Sequence, residues 1–175
     1  MTHLNRVDPA HWEDWQWGGR GRNGGTAPTF ASIGSTGIYA DHFSSGDEKH
    51  FPELQVPHDY VEGTDLITHL HWMPSTTATY TGTWTLDVVY WLSVATGTPM
   101  SAVATSTIDF NGAMNARDMQ SADFSTVLTG LDRKISSIVF ARLSLSLSSG
   151  ASCILGGIDA HRQSDKPGSR NINTK

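Results

Sequence analysis

From Val139 to Ser148 the chain alternates without a break. Val139, Ala141, Leu143, Leu145 and Leu147 fall on one side; Phe140, Arg142, Ser144, Ser146 and Ser148 fall on the other. A period of two sends successive side chains to opposite faces of a pleated strand, whereas a helix would scatter both sets around its circumference. Such a stretch folds as a strand with one dry and one wet face, and the dry face needs a second layer to cover it. The same pattern recurs at Trp84, Leu86, Val88, Tyr90 and Leu92, with Thr83, Thr85, Asp87, Val89 and Trp91 opposite. A third instance sets Leu66, Thr68, Leu70 and Trp72 against Ile67, His69, His71 and Met73.

Turn-forming residues separate these runs at intervals that suit antiparallel connections. The pattern predicts strands from Ile38 to Phe43, Phe51 to Val56, Leu66 to Trp72, Thr83 to Leu92, Val103 to Phe110, Phe124 to Leu128, Val139 to Ser148 and Ser152 to His161. Asn111-Gly112 predicts a turn closing the fifth strand. Gly156-Gly157 predicts a bulge or a close backbone approach in the last. Ala113 to Asp123 suits either a short helical turn or a long loop. The fold expected is all-β: an eight-stranded antiparallel β-sandwich of jelly-roll type, with Trp84, Tyr90, Phe140 and Leu143 buried between its sheets.

The two ends read differently. Trp12, Trp15 and Trp17 precede a glycine-rich stretch that carries Arg20 and Arg22. Glycine at that density loses too much backbone entropy to favour a regular element. Residues 1–36 are therefore expected to form an extended arm that orders against a partner through Trp12, Trp15, Trp17, Arg20 and Arg22. Residues 37–163 would form the sandwich, and residues 164–175 a polar tail.

Composition narrows the function. The 175 residues suffice for one domain with its own core, and the net charge of −5 gives no basic footprint for nucleic acid. No apolar run is long enough to span a membrane, and the first residues carry no signal-peptide core, so a protein kept inside a cell is expected. The single cysteine, Cys153, excludes an intramolecular disulfide and reads as a small buried hydrophobe.

Catalytic sets are hard to assemble. No Gly-x-Ser-x-Gly elbow, phosphate loop or dinucleotide fingerprint occurs. His69 and His71 stand two apart on one strand, as metal-binding His-x-His pairs do, and Gly63 with His69 and His71 resembles the first half of a cupin motif. A cupin needs a glutamate four or five residues later, where Ser75, Thr76, Thr77 and Ala78 stand instead. His58, Asp59, Asp65 and His161 lie in no recognisable metal spacing. The expectation is no enzyme, no cofactor and no metal, with the histidines hydrogen-bonded within the fold or across a subunit boundary. A small metalloenzyme using His69 and His71 is the competing reading. Trp72, Trp84, Trp91 and Tyr80 could instead form a sugar-stacking platform, although the alternation buries Trp72 and Trp84.

Two blocks carry a family resemblance. Pro57-His58-Asp59-Tyr60-x-Glu62-Gly63-Thr64-Asp65, leading into His69-x-His71-Trp72, resembles a block of small tailed-bacteriophage and prophage virion proteins. Gly157-Ile158-Asp159-Ala160-His161, followed by Asp165, Pro167-Gly168-Ser169-Arg170 and Lys175, resembles the closing block of the same proteins. Members serve as head decoration, head-fibre or tail-associated proteins. The resemblance implies a virion structural protein built as a trimeric jelly-roll sandwich; the function expected is a decoration protein that binds the major capsid protein on the outside of a head. Its residues Pro57, His58, Asp59, Tyr60, Gly63, His69, His71, Trp72 and His161 are then structural or inter-subunit positions. The alternative is a tail or fibre component that recognises a host surface glycan. Either implies a virion location after assembly in the host cytoplasm, with no nucleic-acid or membrane partner.

Overall fold

The structure, a computed structural model, describes residues 11–17, 25–91, 103–128 and 137–164. Ten strands run in chain order: β1 (His11–Gln16), β2 (Thr29–Ser32), β3 (Tyr39–Phe43), β4 (Glu48–Gln55), β5 (Leu66–Pro74), β6 (Ala78–Trp91), β7 (Ala104–Met114), β8 (Gln120–Leu128), β9 (Ile138–Ser149) and β10 (Cys153–Ser164). One sheet has the order β2-β3-β10-β5-β8, with β1 also paired to β10; the other has the order β4-β9-β6-β7. The ladders between these strands are antiparallel.

Within this order the pairs β3·β10, β4·β9, β5·β8 and β6·β7 are nested one inside another. A long eight-stranded hairpin wraps over itself, so that β10 also meets β5 and β9 also meets β6. This winding is the jelly roll. The expected fold class holds, with two strands more than the eight foreseen.

The core lies where the alternation placed it. Leu66, Thr68, Leu70 and Trp72 point inward from β5, Trp84, Leu86 and Val88 from β6, and Val139, Ala141, Leu143 and Leu145 from β9. Trp72 packs on Phe110 with ring centroids 4.6 Å apart, and Trp84 meets Phe43 edge-on at 5.2 Å. Each such aromatic pair adds about 0.5–1.5 kcal/mol beyond the area it buries. Cys153 is fully buried, and desolvation pushes its thiol up to about 12, so it behaves as the inert hydrophobe expected.

Several expectations are corrected. Residues 11–16 are not a free arm: they form β1 along β10, from His11 opposite Ser164 to Gln16 opposite Asp159. The physical reason is an edge left open. Strand β3 covers β10 only at Cys153 and Ile154, and the backbone groups further along need partners that β1 supplies. Trp17 then enters the core at 6 % exposure. The entropy argument does not extend to the tryptophan-rich stretch, which pairs as a strand; the glycines at 18–24 lie outside the described residues. Residues 29–32 likewise form β2 against β3. Arg20, Arg22 and the tail from residue 165 onward lie outside the described residues, as do the side chains of Trp12, Trp15 and Trp91.

Asn111-Gly112 does not turn. β6 begins at Ala78 and offers partners up to Met114, so Asn111 pairs with Thr81 and Gly112 with Tyr80 inside the ladder. The segment after it is neither helical nor long: a turn through Arg117, at φ 67°, leads directly into β8. Phe140 sits on the wet face of β9 at 38 % exposure, following the alternation rather than its hydrophobicity.

Candidate functional site

The outward faces of four neighbouring strands place imidazoles and carboxylates in one patch. His69 and His71 project outward from β5 because Thr68, Leu70 and Trp72 take the core side. On β10 the register shifts between Leu155 and Gly157. At Gly156 a Cβ would stand 3.1 Å from the His71 carbonyl oxygen, which explains glycine at this crossing. Beyond the bulge, Ile158 and Ala160 face the core while Asp159 and His161 face outward beside His69 and Ile67. β1 adds Asp14 opposite His161, and β8 adds Asp123 opposite His69.

The side chains meet. His161 Nε2 lies 2.9 Å from Asp14 Oδ1, and His69 Nδ1 lies 3.2 Å from Asp123 Oδ1. The His69 and His161 rings are 3.9 Å apart between centroids. His71 Nε2 stands 3.6 Å from Asp159 Oδ1, too far for a hydrogen bond. Asp159 is only 6 % exposed, and its Oδ1 accepts no hydrogen bond from any described residue.

Of the residues singled out in the sequence, the structure gathers His69, His71 and His161 on this patch. The two β5 imidazoles diverge there, with His69 turned to Asp123 and His71 to Asp159. Trp72 is core. Pro57, His58, Asp59, Tyr60 and Gly63 belong to a closed loop before β5. Tyr60 N donates to Pro57 O at 3.2 Å, Thr64 N donates to Val61 O at 3.2 Å, and the Tyr60 hydroxyl donates to Thr64 O. Gly63 turns this loop at φ 89°, in the region that favours glycine. Asp59 is buried against Arg162 of β10, with Oδ1–Nη1 at 3.0 Å and Oδ2–Nη2 at 3.3 Å. An ion pair thus ties the loop before β5 to β10, through Arg162 next to His161.

Asp14, Asp123 and Asp159 were missed. Asp159-x-His161 has the same strand spacing as His69-x-His71, so that half of the patch carried a signal. Asp14 and Asp123 reach it only through strand register.

A second surface lies at the other end of the same sheet. The β2–β3 hairpin holds Phe30, Ile38 and Tyr39 at 55 %, 65 % and 58 % exposure, and the Phe30 and Tyr39 rings stack at 5.7 Å. β2 is the last strand on that side of the sheet. Tyr80, a candidate for sugar stacking, is fully buried: its hydroxyl accepts a hydrogen bond from Thr76 N at 3.2 Å. Burial raises its pKa, and hydrogen bonds from Thr76 and Ser75 outweigh that and leave it lowered.

No protein-family model matches the chain, and no curated protein sequence matches it. Among solved structures, dimeric latent PorU from Porphyromonas gingivalis aligns at 10 % identity and TM-score 0.46, over 89 % of this chain and 13 % of that one. The infectious bursal disease virus structure, Gx strain, aligns at 9 % identity and TM-score 0.45, over 91 % and 33 %. TmCBM61, solved in complex with β-1,4-galactotriose, aligns at 12 % identity and TM-score 0.37, over 91 % and 90 %. The chain spans well under two thirds of the first two. These neighbours, viral and carbohydrate-binding alike, share a general β-sandwich build at low identity.

Proposed function

We propose that the protein is a virion structural component: a decoration, or cement, protein that binds the major capsid protein on the outside of a bacteriophage head as a homotrimer and works by attachment rather than catalysis. The observation that supports it best is the β2–β3 hairpin. An edge hairpin with Phe30, Ile38 and Tyr39 each more than half exposed is an aggregation hazard for a free monomer and a ready contact for a second copy. Three-fold repetition of one modest contact gives strong attachment to a shell through effective concentration. The resemblance of the blocks at 57–72 and 157–161 to phage virion proteins supports the same reading.

Labelled antibody against the protein, applied to intact particles, is expected to decorate heads. Light scattering of the purified chain is expected to give three times its mass. Phe30→Ser with Tyr39→Ser is expected to yield a folded monomer that no longer decorates. Labelling confined to tails, or a monomeric wild type, would sink the proposal.

The glycan-binding alternative has one surface in its favour. A depression of about 380 Å³ on the β6–β7–β9 face is lined by Thr81, Thr83, Asp109, Asn111, Ser146 and Ser148. With Tyr80 buried, that reading loses one of its stacking groups.

A further inference from the structure

We propose that Asp14, Asp159 and His161 form a site for a divalent transition-metal ion of zinc type, which fastens β1 to β10. One ligand atom from each of the three residues can be chosen so that all lie within 4.8 Å of one another, and the His161 Nε2–Asp14 Oδ1 pair is already at 2.9 Å. Around a tetrahedral zinc with bonds near 2.1 Å, ligand atoms stand about 3.4 Å apart, so small side-chain rotations admit the ion.

Proximity alone would mean little, since exposed carboxylates often cluster near histidines. The independent observation is Asp159. Burying a carboxylate at 6 % exposure with an oxygen that no described residue hydrogen-bonds is costly, and folds rarely leave such an atom unserved. The same carboxylate offers an oxygen within 4.8 Å of ligand atoms of His161 and Asp14, so a cation held there would serve it. An imidazole with two carboxylates suits zinc better than magnesium or calcium, which prefer all-oxygen shells. His71 Nε2, 3.6 Å from Asp159 Oδ1, is placed to hold the carboxylate or to join as a fourth ligand.

The ion would bridge the first strand and the last. Two ligands come from β10 and one from β1, so metal binding and docking of β1 stabilise each other by linkage. The site therefore acts on the N-terminal segment, whether or not the protein proves to coat a phage head.

The test uses the full-length chain, stripped with a chelator and titrated with zinc chloride by calorimetry. Expected are one ion per chain and slower amide hydrogen exchange over residues 12–16 on loading. Asp14→Asn, Asp159→Asn and His161→Ala are each expected to weaken binding at least about tenfold. His50→Ala, on the other sheet, leaves it unchanged. Circular dichroism confirms that the variants fold; should Asp159→Asn fail, the exposed Asp14→Asn decides alone. No saturable uptake by the wild type, or wild-type affinity in Asp14→Asn, would overturn the site.

Discussion

On the outer face of the four-stranded sheet, polar side chains find one another across the strands. Thr83 Oγ1 donates to Asp109 Oδ1 at 2.6 Å, and Thr81 Oγ1 to Asn111 Oδ1 at 2.9 Å. Asp87 accepts from Thr105 Oγ1 and from Arg142 Nη2, each at 2.5 Å. The Asp87 hydrogen bond outweighs partial desolvation and raises the Arg142 pKa. On the six-stranded sheet the corresponding face is a row of imidazoles and carboxylates, and one buried Asp159 oxygen is left over. The same fold thus carries one surface whose polar pairs complete each other and one with a buried carboxylate oxygen that no described residue hydrogen-bonds. Pairing on the first serves solubility and sheet stability.

The largest effect that can test this contrast comes from the buried pair of Arg162 and Asp59. Arg162→Met leaves Asp59 charged and buried, and should cost about 3–5 kcal/mol in urea unfolding. A loss under about 1 kcal/mol would mean that the pair is no strut between the loop and β10. Next is alkaline pH, read at Cys153. Its folded pKa, about 12, lies above the ordinary thiol value, so its contribution is intact below about pH 9 and lost as pH rises towards 12. The loss is about 1.4 kcal/mol per pH unit within that window. Cys153→Ala should flatten the alkaline slope by that amount, and an unchanged slope would place its origin elsewhere.

Asp159→Asn comes third. In metal-free protein it should raise stability by about 1 kcal/mol, because a neutral amide costs less to bury than a carboxylate. A destabilisation of that size would show that the carboxylate is already satisfied, and the contrast between the faces would weaken. Smallest is Arg142→Met, expected to cost less than about 1 kcal/mol because the guanidinium is nearly half exposed to water. A larger loss would make the four-stranded face more than a solvated ladder.

Much of the sandwich was legible because alternation is a local signal. The inward sets of β5, β6 and β9 could be read residue by residue, and so could the bulge at Gly156-Gly157. What failed depended on distant partners. Asn111-Gly112 has the composition of a turn, yet the length of β6 decides that it pairs. Trp17 is buried because β10 has an open edge, a fact held by residues almost a chain length away. The imidazole–carboxylate patch was half visible for the same reason: strand spacing reveals Asp159 with His161, but only register brings Asp14 to them.

The nesting of strands has a consequence for timing. The β6–β7 ladder pairs strands that follow one another in the chain, while Phe43 meets Cys153 and Asp14 meets His161 only after nearly all intervening chain has found its place. Contacts of such long sequence separation form late in folding. The imidazole–carboxylate patch is therefore absent from partly folded chains, and whatever binds there selects finished molecules over incomplete ones.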